Sequence, residues 1–195
     1  MSYGWIEGSP AFKEQVASLY RREIDTACIL HTNGCTGANL NALMAVVEPE
    51  DHVIVEWPTY APPYEAPRAL GARVEAWHVR EELGWAPEIA ELERLVRPDT
   101  KLICINNAAN PTGAVQDAEM LAAIADIARS VGAYVLSDEV YLPREEYAHP
   151  LPRIVAGMVL RDKNALSGTS YQSRRVNQRV ETTILIHVSH GIRRK

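Results

Sequence analysis

One stretch restricts the possible folds more than any other. Lys101–Asn106 is a nearly continuous apolar run, Asp117–Val131 carries one apolar stripe at helical spacing, and Ala133-Tyr134-Val135-Leu136 is a second apolar run. Strands with both faces covered read this way, and a helix between two of them is the signature of a parallel crossover. Each run is followed at once by polar groups: Asn110-Pro111-Thr112-Gly113 after the first and Asp138-Glu139-Val140-Tyr141 after the second. In an open parallel sheet, the carboxyl edge of the strands is where ligands bind. A carboxamide, a carboxylate and a phenol meeting there suit a flat, hydrogen-bonding heterocycle.

The same alternation runs back toward the N-terminus. Ser9-Pro10 marks a helix start, Ser as cap and Pro in the first turn, with Phe12, Val16, Leu19 and Tyr20 at helical spacing. Ala27–His31 reads as a strand, Ala38–Val47 as a helix, His52–Glu56 as a strand and Tyr64–Leu70 as a helix stopped by Gly71. Arg73–Val79 follows as a strand and Glu88–Val96 as a helix, while Gly132 ends the helix of residues 117–131. This pattern predicts an α/β fold, a three-layer sandwich with a mainly parallel sheet. Past Tyr147 it fades: Ile154–Leu160 and Thr183–Val188 have strand character, but Ala165–Glu181 has no period.

Composition removes several function classes. No stretch of about 18 apolar residues is present, so no membrane span is expected. The start of the chain, Met1-Ser2-Tyr3-Gly4-Trp5, lacks the basic and apolar regions of a signal peptide. Cys28, Cys35 and Cys104 form neither a disulfide framework nor a metal-binding spacing, which points to a reducing, cytoplasmic setting. Residues 151–195 hold nine Lys or Arg against two acidic residues, whereas residues 1–150 hold 11 against 23. That basic tail has no compact Lys/Arg block, so nucleic acid is not an expected partner.

Four segments carry candidate chemistry, each with a plainer alternative. Gly34-Cys35-Thr36-Gly37-Ala38-Asn39, between a strand and a helix, would let backbone N–H groups approach a phosphate; it reads equally as an ordinary strand-to-helix turn. Tyr60, after Trp57-Pro58-Thr59, is either a wall beside a planar ligand or a packing residue. Asn110, biased toward extended backbone by Pro111, either aims its amide into a cleft or simply forms a turn. Asp138 would sit at the buried end of a strand, where a carboxylate needs a partner. A protonated ring nitrogen would supply one, with Tyr141 donating to a phenolate oxygen of the same ring; the alternative is a loop Asp capping a turn.

In order and spacing these motifs resemble the class I/II aminotransferases, fold-type I enzymes that use pyridoxal 5′-phosphate, over roughly residues 1–148. The resemblance implies that the backbone at Cys35 and Thr36 binds the cofactor phosphate and that Tyr60 stacks on the pyridine ring. It implies that Asn110 and Tyr141 hydrogen-bond the ring's phenolic oxygen. It further implies that Asp138 pairs with the ring nitrogen, which makes the ring an electron sink for a carbanion at the substrate α-carbon. Amino acids and keto acids are the implied substrates, and a homodimer the implied assembly.

The chain departs from the family's pattern where its Schiff-base lysine is expected. That region reads Leu166-Ser167-Gly168-Thr169-Ser170-Tyr171-Gln172-Ser173-Arg174-Arg175, and the lysines are Lys13, Lys101, Lys163 and Lys195. Lys163, the one nearby, lies in a surface-turn sequence and comes early, so no catalytic lysine is identified. Arginine is no substitute, because its guanidinium does not deprotonate near neutral pH. With the charge break near residue 150, this divides the chain into residues 1–148, part of a cofactor-binding large domain, and residues 149–195, a divergent basic tail. A truncated or frame-shifted product is the expectation, which the nucleotide sequence past codon 150, read in all frames, decides. The leading function is amino-group transfer by a pyridoxal-phosphate enzyme. A β-lyase, decarboxylase or cyclising enzyme of the same fold shares every motif, and a non-catalytic fragment is the reading from a different class.

Overall fold

The computed structural model describes residues 4–18, 25–32, 34–141, 154–156, 158–159 and 182–185. Lys163 and the aperiodic stretch 165–181 lie outside the described residues, as does most of the basic tail.

Helix α1 (Pro10–Ala17) is capped by Ser9, whose hydroxyl accepts from Phe12 N. Strand β1 (Ile29–His31) is shorter than the sequence suggests: Thr26–Cys28 instead form a 3₁₀ turn, because the Asp25 carboxylate accepts from Ala27 N and bends the chain there. Then follow α2 (Gly34–Val46), β2 (His52–Trp57), α3 (Ala61–Ala69), β3 (Arg73–His78), α4 (Ile89–Leu95), β4 (Thr100–Asn106), α5 (Ala118–Val131) and β5 (Tyr134–Asp138). Short strands β6 (Ile154–Ala156), β7 (Met158–Val159) and β8 (Thr182–Leu185) complete the described strands, and a second 3₁₀ turn spans Glu81–Leu83.

Two helices begin earlier than periodicity places them. α2 starts at Gly34 rather than Ala38, so the small-residue segment is the first helical turn and not a loop before it. Glycine is a poor helix former, which hides that turn from a propensity reading. α3 starts at Ala61 rather than Tyr64, because Pro62 and Pro63 occupy the first turn, where no N–H is needed.

The main sheet has the order β3-β2-β4-β5-β6, and every neighbouring pair in it is parallel. A second sheet, β1-β8-β7, is antiparallel and has no counterpart in the sequence reading. Alternate residues of the central strands feed two cores, as the two-residue period of a strand requires. Val53, Val55, Leu102, Cys104 and Leu136 pack with Ala38, Ala42 and Leu43 of α2. Ile54, Ile103, Ile105 and Val135 pack on the other face with Leu92 of α4 and Leu121, Ile124 and Ala128 of α5. Helices therefore cover both faces, giving the three-layer α/β sandwich. Trp77 is fully buried in the second core, and its indole N–H is satisfied by Glu88 O at 3.1 Å.

The strand order decides where a site forms. From β2 the chain moves outward to β3, then returns past β2 to β4 and continues in the opposite direction to β5. Connections that diverge in this way leave a crevice beyond the carboxyl ends of β2 and β4, the switch point of an open α/β sheet.

Candidate functional site

A cleft of about 130 Å³ lies at that switch point, lined by Cys35, Thr36, Tyr60, Asn106, Asn110, Asp138, Val140 and Tyr141. All six residues singled out in the sequence stand on it. They arrive from four places: the first turn of α2, the segment after β2, the loop after β4, and the end of β5. The parallel strands β2, β4 and β5 stop at a common edge, and α2, packed on the same sheet, brings its first turn to that edge.

Each position has a local cause. Gly34, at φ 78°, turns the chain into α2, and the first N–H groups of a helix have no partner inside it. Thr36 Oγ1 and the Tyr60 hydroxyl share a hydrogen bond of 3.0 Å, tying the α2 start to the segment after β2. Tyr60 is about one-third exposed, its ring forming a wall of the cleft. Tyr141 is more than half exposed at the rim.

The loop after β4 is held by carboxamides. Asn106 Oδ1 accepts from Asn110 N at 2.6 Å, and Asn106 Nδ2 donates to Asp138 O at 2.8 Å. Asn107 Oδ1 accepts from Gln116 N at 2.8 Å, closing the loop at its other end. Gln116 Nε2 in turn donates to Glu56 Oε2 at 2.7 Å, so the buried carboxyl at the end of β2 anchors the loop. Burial pushes Glu56 up to about 7, against the hydrogen bonds from Asn106 and Gln116 that pull it down.

Asp138 is 1% exposed. Its Oδ2 accepts from Asn39 Nδ2 at 2.7 Å and its Oδ1 from Val140 N at 3.2 Å. Burial raises its carboxyl above the ordinary aspartate value, while the Asn39, Val140 and Cys35 hydrogen bonds lower it. Beside it, burial and then the Asp138 charge push the Cys35 thiol far up, so this thiol is a neutral donor rather than a nucleophile. Burial also pushes Glu139 up to about 7, and its Oε1 accepts from Ser137 Oγ at 3.0 Å.

Three site residues escaped the sequence reading. Asn106 ends β4 inside an apolar run and reads there as the last strand residue. Val140 has an apolar side chain that carries no chemistry in its motif. Asn39 shows no role within the motif of residues 34–39; its one signal is a polar side chain among Ala38, Ala42 and Leu43, the buried stripe of α2.

The arrangement fits one kind of ligand. Unpartnered helix N–H groups favour an anion, an aromatic ring offers a flat face, and a buried carboxylate with two donors already in place favours a cation across from it. A helix start and a buried carboxylate in one cleft therefore suit a planar molecule that carries both an anionic and a cationic group. Among the described residues, none lining the cleft is a lysine. Lys13 pairs with Glu7 at 3.2 Å, and Lys101 lies at the start of β4, away from the strand tips.

Comparison with known proteins gives consistent relatives. The family model "Aminotransferase class I and II" matches residues 1–143. The chain is 33% identical over 138 residues to the aspartate/prephenate aminotransferase of Thermus thermophilus, covering 69% of this chain and 36% of that protein. It is 36% identical over 140 residues to a probable N-succinyldiaminopimelate aminotransferase of Mycobacterium tuberculosis, covering 69% of this chain and 35% of that one. Among solved structures, a PLP-dependent aminotransferase from Streptococcus suis superposes with a TM-score of 0.70 at 55% identity, over 72% of this chain and 37% of that chain. The chain thus spans little more than a third of the length of the relatives it matches.

Proposed function

This chain belongs to the class I and II aminotransferase family, and from that premise we propose that its strand-tip cleft binds pyridoxal 5′-phosphate and serves amino-group transfer between amino acids and keto acids. The observation that carries the reading is the carboxylate of Asp138, buried and held by two donors at the end of β5, in one cleft with Cys35, Thr36, Tyr60, Asn110 and Tyr141.

When bound, the cofactor supplies an electron sink that stabilises negative charge at the carbon next to the amino group. The protein's own groups orient and tune it. The N–H groups at Cys35 and Thr36 would hold the phosphate at the start of α2. Tyr60 would cover the ring, its hydroxyl fixed by Thr36. Asn110 and Tyr141 would hydrogen-bond the ring's oxygen. Asp138 would hold a proton on the ring nitrogen, because an ionised carboxylate in a buried site gains from a cation facing it. The burial that raises the Asp138 carboxyl is thereby offset by the partner it acquires.

The same reading keeps residues 149–195 as a separate basic tail, since the family match ends at residue 143 and the charge composition changes near residue 150. A reducing compartment suits the three free cysteines, and a second copy of the chain is the expected partner.

Equilibrium dialysis of the full chain against pyridoxal 5′-phosphate tests the assignment. Saturable binding is expected, weakened about tenfold or more in Asp138→Asn and in Tyr60→Ala, since a charge-assisted pair and a stacking ring each contribute about that much. Binding by Asp138→Asn equal to that of the unaltered chain overturns the reading. Borohydride reduction followed by peptide mapping separates catalysis from simple binding: a reduced lysine adduct identifies the residue that joins the cofactor. Saturable binding without an adduct favours the non-catalytic alternative.

A further inference from the structure

Asn39 is polar in a place built for an apolar side chain. It lies in the buried stripe of α2 beside Ala38, Ala42 and Leu43 and is fully buried. Its Nδ2 donates to Asp138 Oδ2 at 2.7 Å, across 99 positions of sequence, and stands 3.7 Å from Cys35 Sγ. Its Oδ1 has no hydrogen-bond partner among the described residues. A buried amide with an orphaned carbonyl works against folding, so packing does not account for this residue. Its one short hydrogen bond among the described residues is to the carboxylate in the cleft.

Resting on the cofactor reading above, we propose that Asn39 is a positioning residue: it fixes the Asp138 carboxylate and keeps it ionised for a cationic ring, from the same helix whose first turn faces the anionic end of the ligand. The geometry gives this role a definite form. Asn39 follows Cys35 by one helical turn, so both side chains lie on one face of α2. With Val140 N on Oδ1 and Asn39 Nδ2 on Oδ2, both carboxylate oxygens are anchored and rotation about the Cβ–Cγ bond is blocked. Each carboxylate oxygen has more than one acceptor site, so a direction toward the cleft remains on the group. Of the groups about Asp138, the Cys35 thiol lies beside its carboxyl, Glu139 adjoins it, and the Asn106 amide and Asn107 N–H donate to its backbone carbonyl. Asn39 is therefore the one carboxamide that donates to the Asp138 side chain among the described residues, and α2 links the two ends of the ligand site.

The test has two readings on the full chain. In the first, protein carrying ¹³C-carboxyl aspartate is titrated without cofactor, the Asp138 signal being assigned from Asp138→Asn. Asn39→Leu, which keeps the volume and removes the donor, is expected to titrate at higher pH than the unaltered chain, and Asn39→Ser, which restores a hydroxyl donor, to fall between. In the second, dialysis against pyridoxal 5′-phosphate is expected to show binding weakened about tenfold in Asn39→Leu. A purely structural role would alter thermal unfolding and leave the Asp138 titration in place. An unmoved titration in Asn39→Leu overturns the proposal, and so does unchanged cofactor binding in Asn39→Leu when Asp138→Asn has lost it. If Asp138→Asn itself binds normally, the cofactor reading fails and this role with it. Should Asn39→Leu not fold, Asn39→Ser carries both readings, with the same outcomes deciding.

Discussion

At the scale of single residues, the buried carboxyl groups at the strand tips have unequal support. Glu56 accepts from Gln116 Nε2 at 2.7 Å, and that amide leaves its own Oε1 without a partner among the described residues. Gln116→Leu removes a donor and an orphaned acceptor together, so its cost depends on whether Glu56 is charged. Because burial holds Glu56 at about 7, the carboxyl is mostly neutral at pH 5 and mostly ionised at pH 8. Gln116→Leu is expected to cost about 1–3 kcal/mol at pH 8, the penalty for an under-satisfied buried group, and distinctly less at pH 5. Urea unfolding at the two pH values checks this, and equal costs would refute the account. The site residues legible in sequence were those in short motifs just past an apolar run or at a helix start: Cys35, Thr36, Tyr60, Asn110, Asp138 and Tyr141. Asn39 and Asn106 were not, because their roles come from contacts made across the fold. Asn39 meets Asp138 only when α2 has packed on β5, and the amide of Asn106 reaches Asp138 O only through the parallel pairing of β4 with β5.

At the scale of elements, α5 is the helix whose ends the sequence defines most fully, and its position matters because it joins β4, whose following loop holds Asn110, to β5, which ends in Asp138. Asp117 caps it, Oδ1 accepting from Met120 N at 2.8 Å, and Gly132 ends it at φ 76° with its N–H on the last carbonyls. Asp117→Ala should destabilise the protein by about 1 kcal/mol through the lost cap. Gly132→Ala should cost about 1–2 kcal/mol, from backbone strain alone, since a methyl group there would meet nothing within 4 Å. Thermal unfolding of each variant measures these costs, and the two should add in the double variant because they lie at opposite ends of the helix. The starts of α2 and α3 were less legible for a reason of the same kind. Gly34, Gly37, Pro62 and Pro63 are poor helix formers in general, yet a first turn tolerates them, so propensity alone places both boundaries too late.

At the scale of the whole molecule, the parallel sheet was legible from alternation, but the strand order that creates the switch point was not. Nor was the pairing of β1 with β8, which spans most of the chain. What that strand order does is gather acidic groups: Glu56 from β2, Asp138 at the end of β5 and Glu139 next to it, all buried. Burial raises all three carboxyls, Glu56 and Glu139 to about 7. The folded chain therefore binds protons more tightly than the unfolded chain at these positions. Their contribution to stability is full below the unfolded carboxylate values, near pH 4, and is lost as pH rises through about 7. The shifts of Glu56 and Glu139 each correspond to something on the order of 3 kcal/mol when fully lost. The cofactor-free chain should consequently melt at a lower temperature at pH 8 than at pH 5.5. Glu56→Gln and Glu139→Gln should each flatten the dependence, since a neutral amide carries no proton to lose. Circular-dichroism melts of the three proteins across that range test the argument, and a melting temperature that rises from pH 5.5 to pH 8 would show that other groups, not the acidic cluster at the strand tips, govern how the fold responds to pH.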